Sequence, residues 1–301
     1  MEWRGRYQLL SISRQFLLLL VLLSGSFFVC YLVGMFPLLY VGVENLSNIT
    51  IQNVHLFKWL QSWSSIGVFI LPSVLFLYLI GDHRSIFKSI NRQQVMLSIA
   101  CMLLFIPIIN FLAIWNEGLH LPTFLSEVEQ WMRASEAKSA SIMEYFLIMD
   151  SYGSLVVNIV VIALIPAIGE ELLFRGVIQR QLFKWKNNPH FAIWLSALLF
   201  STLHVQFLGF FPRFLIGGFF GYLFFWSGSI WLPIITHFTN NALAVLLLFY
   251  SSSLGIDMEA VGTKEGDFSI ILVSIFAISL LLYLLYTFSK KKSPIDGDLI
   301  E

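Results

Sequence analysis

Long apolar stretches separated by short polar segments dominate the chain. A helix needs about 20 predominantly apolar residues to cross a bilayer. The stretches predict transmembrane helices at 15–40, 60–80, 95–115, 153–175, 190–208, 211–227, 229–250 and 268–288. The sixth is the weakest, because Pro212 and Arg213 interrupt it. We therefore expect an all-α, polytopic membrane protein with about eight transmembrane helices.

The Lys and Arg residues between these stretches indicate an orientation, because cytoplasmic segments carry an excess of positive charge. With a cytoplasmic N-terminus, twelve of the eighteen Lys and Arg residues fall inside, five fall outside, and Arg175 lies within or at the edge of a span. The inside set is Arg4, Arg6, Arg14, Arg84, Lys88, Arg92, Arg180, Lys184, Lys186, Lys290, Lys291 and Lys292. The outside set is Lys58, Arg133, Lys138, Arg213 and Lys264. This distribution predicts that both termini are cytoplasmic.

The same pattern divides the chain into four parts. Residues 1–115 form an N-terminal three-helix segment, 116–150 an extracytoplasmic connector, 151–250 the membrane domain with the ionisable groups, and 251–301 a last helix and cytoplasmic tail. In the connector, apolar residues recur at helical spacing and charged residues occupy the other faces. This pattern is typical of an amphipathic helix at the membrane interface. A plain connector is the favoured interpretation, and a lid or substrate guide is the alternative.

Composition agrees with a membrane protein. The chain is 57% hydrophobic and 12% charged, against about 25% charged residues in soluble domains. Its net charge is zero and it has no long basic or acidic block, so we expect the bilayer and no nucleic acid as a partner. Cys30 and Cys101 lie in apolar stretches and favour neither a disulfide framework nor a cysteine metal site. The first apolar run is too long for a signal-peptide core, so we expect it to be retained.

Three polar clusters interrupt the apolar pattern in residues 151–250, and the first is Glu170, Glu171 and Arg175. A charged side chain costs about 2.5–3.5 kcal/mol at the centre of a transmembrane helix on insertion scales, so such groups pair, face a wet cavity or do chemistry. Glu171 and Arg175 share a helix face and are placed to pair. Glu170 is turned about 100° away, which leaves it free to act as a general base in a cavity. The alternative is a charge cluster at the cytoplasmic interface.

The second and third clusters each contain one histidine. His204 lies inside the fifth predicted span, four residues after Phe200, and a hydrogen bond to a neighbouring helix is its alternative interpretation. His237 and Asn241 share a face of the seventh span, where their side-chain donors are suited to an oxyanion. Contact between helices is the alternative there. From the rise of 1.5 Å per residue, Glu170, His204 and His237 are expected to meet in one cavity open to the cytoplasm.

These residues resemble the CPBP family of intramembrane proteases, also called the Abi or CAAX-protease family, which includes the type II CAAX prenyl endopeptidases. The family pattern is EExxxR, then FxxxH, then HxxxN, on separate helices. Here it reads Glu170-Glu171 with Arg175, Phe200 with His204, and His237 with Asn241. The resemblance covers about residues 150–250.

The resemblance implies an all-helical endopeptidase with a polar cavity inside the membrane. Glu170 and His204 would activate the attacking water, His237 and Asn241 would stabilise the oxyanion, and Glu171 with Arg175 would give structural support. The family is often labelled metalloprotease. Glu170, His204 and His237 are plausible ligands for a catalytic zinc, although HExxH is absent. Water activation by Glu170 and His204 is favoured.

An intramembrane endopeptidase is therefore the leading functional hypothesis. It would act on a peptide or protein substrate, membrane-anchored or not, in the cell membrane of a bacterium. A catalytically silent membrane scaffold or immunity protein of the same fold is the alternative. A transporter is disfavoured, because transporters carry polar sites in both inverted repeats and here the ionisable groups lie in one block.

Overall fold

The computed structural model describes residues 3–37, 49–82, 85–254 and 268–290. Within these residues all regular secondary structure is helical, which confirms the predicted all-α class. Four residues of the charge count, Arg84, Lys264, Lys291 and Lys292, lie outside the described residues, as does the side chain of Lys290.

The helices follow one another up and down through a single bundle. In the described residues they are α1 (Ile12–Met35), α2 (Val54–Leu79), α3 (Arg92–Glu117), α4 (Ser126–Phe146), α5 (Tyr152–Lys186), α6 (Pro189–Leu203), α7 (Phe210–Ser227), α8 (Trp231–Leu254) and α9 (Phe268–Lys290). Seven of them, all except α4 and α6, are long and apolar enough to cross a membrane. The protein is therefore a polytopic membrane protein.

The fifth predicted span, 190–208, differs from the structure. The apolar helix there is α6, which has 15 residues and ends at Leu203, so it extends only about 22 Å along its axis. Residues 207–209 form a 3₁₀ turn that leads into α7. The fifth predicted span is therefore a short helix that ends at Leu203, directly before His204.

Polar contacts at the two ends of the bundle define two faces. At one face, Arg180 in the C-terminal part of α5 forms an ion pair with Asp82, which follows α2. At the other face, Asn116 at the end of α3 donates to the carbonyl of Phe207, 2.8 Å away. We call the second the α4 face, because the Trp131 ring of α4 lies 5.4 Å from the Phe207 ring. The first is called the opposite face.

Two apolar cores hold the bundle together. One joins α1, α2, α5 and α6, and the other joins α3, α7 and α9. Many residues on the outward faces of the helices are apolar and exposed, such as Val273 and Phe276 on α9. Exposed apolar patches of this extent are rare on soluble monomers. They are expected on a surface that faces lipid.

Helix α5 departs from regular α geometry on both sides of Glu170. π-helical turns cover Ile159–Leu164 and Leu172–Gln179. Such turns are rare and often mark functional sites. Pro166 lies between them and has no N–H, so it does not make the α-helical hydrogen bond to the carbonyl of Ile162. That carbonyl is left for another donor.

Two glycines bring α7 close to α6. A side chain at Gly217 would lie 3.2 Å from the Cα of Ala197, and one at Gly221 would lie 2.8 Å from Ile193. The spacing of these glycines is that of the small-residue motif that packs membrane helices. The close approach also exposes both glycine carbonyls to side chains of α5, which donate to them.

Candidate active site

Glu171 lies at the centre of a buried polar network. Its Oε1 accepts hydrogen bonds from Nη1 of Arg175, 3.0 Å away, and from Nδ1 of His237, 2.9 Å away. Glu171 and Arg175 are fully buried and His237 is 5% exposed. The predicted i,i+4 ion pair is present, and it extends to a histidine on α8 that its sequence spacing does not indicate.

Arg175 is held on several sides. Its Nη2 donates to the carbonyl of Gly217 at 2.7 Å. Its guanidinium carbon lies 5.0 Å from the ring centre of Phe200 and 5.5 Å from that of Phe220. Cation–π attraction of this kind strengthens when the groups are desolvated. Arg175 thereby joins α5, α6 and α7 around one buried charge.

The Glu171 contact decides which nitrogen of His237 carries a proton. The carboxylate paired with Arg175 is ionised and only accepts hydrogen bonds, so Nδ1 of His237 is the donor. The ring stacks on Phe220 with their centres 4.9 Å apart. Its other nitrogen, Nε2, lies 3.8 Å from Oε2 of Glu170.

The two adjacent glutamates thus lie beside opposite nitrogens of the same imidazole, that of His237. Although the two side chains are turned about 100° apart on the helix, both lie near the His237 ring, one at each of its nitrogens. The separation between Glu170 and Nε2 is longer than a hydrogen bond. Glu170 is 9% exposed and keeps its carboxylate available for a third group.

His204 is the residue at which α6 ends. Its Nδ1 lies 2.7 Å from the carbonyl of Phe200, one turn earlier on the same helix. A carbonyl only accepts, so Nδ1 is the donor and a neutral His204 has a free lone pair on Nε2. The described hydrogen bond is therefore within α6 and not to a neighbouring helix. The ring of Phe200 connects the two histidines, with its centre 4.8 Å from that of His204 and 6.2 Å from that of His237.

The backbone is strained directly after His204. Val205 has φ +52°, a left-handed conformation that is an outlier for a β-branched residue. Conformations of this kind cost about 1–3 kcal/mol and cluster at functional sites. The strain directs the chain away from α6 and sets the position of His204 at its end.

Asn241 lies one turn after His237 on α8. Its Nδ2 is 3.5 Å from the carbonyl of Ile162, the carbonyl that Pro166 leaves without an α-helical partner. Its Oδ1 accepts from Nδ2 of Asn240 at 3.1 Å. These contacts direct the Asn241 NH₂ group toward α5, and they give Asn240 an orienting role that its sequence position does not indicate.

The side from which the candidate site opens, expected to be cytoplasmic, stays a prediction. At the opposite face the helices pack through buried apolar side chains, among them Val177, Ile230 and Ile234. A cavity of about 220 Å³ lies at the α4 face, lined in part by Met132 and Phe207 and by none of the motif residues.

The donor types near Glu170 suit zinc, but their positions do not match a metal site. Metal-binding histidines commonly donate their second ring N–H to a carboxylate or carbonyl, and His237 and His204 both do so. In the described residues, however, no group of three His, Cys, Asp or Glu side chains converges as metal ligands would. The predicted ligand set of Glu170, His204 and His237 is not assembled as a metal site in this geometry.

Most of the site was predictable from the sequence, and the groups that support it were not. Glu170, Glu171, Arg175 and His237 form one cluster. His204 is connected to it through the Phe200 ring, and Asn241 lies one turn after His237. The aromatic ring of Phe220 and the carbonyls of Gly217 and Ile162 were not predicted. Their only signals in the sequence were the paired glycines and the proline before Glu170, and neither indicates a particular contact.

Comparison with known proteins agrees with the motif pattern. Residues 152–243 match the family described as type II CAAX prenyl endopeptidase Rce1-like. "Uncharacterized protein YpbD" of Bacillus subtilis (strain 168) is 30% identical over 89 residues, which cover 28% of this chain and 42% of that protein. "Putative membrane peptidase YdiL" of the same strain is 28% identical over 100 residues, covering 33% and 41% respectively. The chain thus spans less than half the length of these relatives.

No solved structure matches the chain. The family match and both relatives concern about a third of the sequence or less. The matched segment contains α5, α6, α7 and the first half of α8, and it includes every residue of the three motifs. Residues 152–243, which carry the EExxxR, FxxxH and HxxxN motifs, are thus similar to the type II CAAX prenyl endopeptidase Rce1-like family, in agreement with the resemblance that the motifs indicate.

Proposed function

We propose that this protein is an intramembrane endopeptidase in which Glu170 activates a water molecule. The observation that supports this most is the Arg175–Glu171–His237 network, which fixes one imidazole 3.8 Å from the nearly buried carboxylate of Glu170. Preorganised groups of this kind act strongly in a low-dielectric site. The family match supports peptidase chemistry.

Glu170 and His204 hold the attacking water in this mechanism. The Glu170 carboxylate accepts one hydrogen of the water and the lone pair on Nε2 of His204 accepts the other. The water oxygen then attacks the carbonyl carbon of the scissile peptide bond while its proton passes to Glu170. General-base catalysis of this type contributes about 10²–10⁴-fold to the rate.

His237 and Asn241 serve the oxyanion that forms on the carbonyl oxygen. The NH₂ group of Asn241 is one donor, since it has two N–H bonds and the Ile162 carbonyl, 3.5 Å away, takes at most one of them. Nε2 of His237 is a donor only as an imidazolium, because Nδ1 already holds the proton given to Glu171. The oxyanion role of His237 therefore requires a second proton on its ring.

The tetrahedral intermediate collapses by breaking the C–N bond. Glu170 returns the proton to the leaving nitrogen, which departs as an amine, and the other product is a carboxylic acid. Water is consumed and Glu170 is restored as a carboxylate. The proposed substrate is a peptide bond in or near the bilayer, in the cell membrane of a bacterium.

A cleavage assay on purified protein in detergent tests this function. The protein is incubated with a library of membrane peptides beside Glu170→Gln, His204→Ala and His237→Asn variants, each checked for folding by its melting temperature. We expect cleavage by the wild-type protein and a loss of about 10²-fold or more in Glu170→Gln. Cleavage that persists in all three variants would exclude this mechanism.

Two further results of the same assay have defined meanings. If the wild-type protein cleaves no peptide, the catalytically silent scaffold or immunity protein becomes the better explanation. If a chelator abolishes cleavage and zinc restores it, water activation without a metal is wrong. We expect the rate to be the same with and without the chelator.

A further inference from the structure

Asn116 is a buried residue of α3 that the proposed mechanism does not use. It is 4% exposed and lies outside residues 152–243, the segment that carries the three motifs. Both ends of its amide bind the backbone between His204 and the first turn of α7. Nδ2 donates to the carbonyl of Phe207 at 2.8 Å, and Oδ1 accepts from the N–H of Phe211 at 3.3 Å. One side chain of α3 thus holds the 3₁₀ turn before α7 at both of its ends.

The start of α7 takes one of its backbone partners from Asn116. The first N–H groups of a helix have no partner inside the helix, and the side chain of the N-cap residue commonly accepts from one of them. The N-cap of α7 is Gly209, which has no side chain to offer. The side-chain oxygen of Asn116 takes this role for the N–H of Phe211. The first turn of α7 is therefore attached to α3.

The strained residue next to His204, Val205, lies between two held pieces of backbone. Left-handed conformations such as its φ of +52° persist only where the surrounding structure imposes them. On one side, the N–H of Val205 donates to the last turn of α6 at 3.1 Å. On the other, Arg213 donates to the side chain and the carbonyl of Gln206, and Asn116 binds the residue after that. These contacts oppose relaxation of Val205.

We propose that Asn116 is a positioning residue for His204. This inference rests on the proposed peptidase function. By holding the Phe207 carbonyl, Asn116 keeps Val205 left-handed, so that His204 keeps Nδ1 bonded inside α6 and Nε2 free for the attacking water. Without Asn116, Val205 relaxes toward a negative φ and the His204 imidazole moves. A displacement of about 1 Å at a reacting group can cost about 10²-fold in rate.

A double-mutant cycle tests whether Asn116 acts through His204. Asn116→Ala is made in the wild-type protein and in His204→Ala, and kcat and KM are measured on a peptide that the wild-type protein cleaves. We expect kcat to fall about tenfold or more in the wild-type background, with KM little changed, and no further loss of the residual cleavage in His204→Ala. An equal loss in both backgrounds, which a general loss of folded protein would give, would overturn the proposal.

Val205→Gly gives a second test, because it removes the strain that Asn116 is proposed to hold. Glycine adopts positive φ about as readily as negative φ, so the left-handed conformation no longer opposes the loop. We expect Asn116→Ala to lower kcat less in Val205→Gly than in the wild-type protein, and a loss at least as large would contradict the proposal. Asn110→Ala is the matched control with unchanged kcat, since the amide that binds the loop is that of Asn116.

Chemical modification of His204 keeps this inference distinct from the proposed function. Diethyl pyrocarbonate reacts with an unprotonated imidazole nitrogen, and mass spectrometry of the fragment that contains His204 gives the rate. We expect faster modification in Asn116→Ala than in the wild-type protein, a rate nearer to wild type in Asn116→Ala/Val205→Gly, and the wild-type rate in Asn110→Ala. This result supports the inference even if the wild-type protein cleaves no peptide. A rate that Asn116→Ala leaves unchanged or lowers contradicts it.

Discussion

Glu170 and Glu171 are neighbours in the chain, but at the scale of single residues their environments predict opposite effects of the same substitution. Glu171 is fully buried and hydrogen-bonded to Arg175 and His237, at 3.0 and 2.9 Å. The Glu170 carboxylate lies 3.8 Å from Nε2 of His237, which is longer than a hydrogen bond. Removing one partner of a buried ion pair costs about 3–5 kcal/mol, because it leaves the other charge uncompensated. Glu171→Gln is therefore expected to lower the melting temperature markedly.

Glu170→Gln serves as the matched control for Glu171→Gln. It keeps the side-chain volume and breaks no ion pair within hydrogen-bond range, so we expect an unchanged or higher melting temperature with a large loss of cleavage. Both properties are measured on the same detergent preparations by thermal unfolding and by peptide cleavage. Equal destabilisation by the two variants would contradict the division of roles between the glutamates.

At the scale of helices, the contact between α6 and α7 depends on Gly221. A Cβ there would lie 2.8 Å from Ile193 and 3.0 Å from Oε1 of Gln179. Overpacking a well-packed core costs about 1–3 kcal/mol, so Gly221→Leu is expected to lower stability and to move α6 with His204. Gly25→Leu is the control, since nothing lies within 4 Å of a Cβ at Gly25. Thermal unfolding of both variants would show an unequal effect, and equal effects would contradict the packing argument.

The Asp82–Arg180 pair joins α2 to α5 at the opposite face and gives a pH dependence. Burial alone raises the pKa of the Asp82 carboxyl, but the charge and hydrogen bond of Arg180 outweigh it and hold that pKa below its usual value. A lowered pKa in the folded state contributes stability above the unfolded-state pKa of about 3.9, and the contribution is lost as pH falls through the folded-state value. Asp82→Asn is expected to lower the melting temperature at pH 7.

The pH series and a double variant test this pair. The deficit of Asp82→Asn relative to wild type is expected to shrink as the pH is lowered from about 4 toward 3. In an Arg180→Gln background the same substitution should have a smaller effect at pH 7, because the main partner is absent. A deficit that stays constant over the whole pH range would show that the pair does not act through ionisation.

The helices were largely predictable from the sequence, and their internal irregularities were not. Apolar length and motif spacing located α5, α7 and α8, because burial in lipid imposes a simple rule on composition. The early end of α6 depends on the strained Val205, and the contact of Asn241 depends on a carbonyl that Pro166 leaves free. Glu171 and His237 are 66 residues apart. Their contact follows from how the helices pack, which a single sequence does not specify.

At the scale of the whole molecule, alternating helix directions place α4 and the Asp82–Arg180 pair at opposite faces of the bundle. The charge distribution predicts that the face with Asp82 is cytoplasmic. Single cysteines at two exposed positions test this: Ala140→Cys on α4 and Ser89→Cys at the opposite face. The native cysteines, Cys30 and Cys101, are both buried, so they should give little background with a membrane-impermeant maleimide.

In intact bacterial cells expressing each variant, Ala140→Cys is expected to react with the maleimide and Ser89→Cys only after permeabilisation. The reverse pattern would show that the chain is inserted the other way round. The result also assigns a side to the 220 Å³ cavity, because that cavity lies at the α4 face, which is extracytoplasmic in the expected orientation.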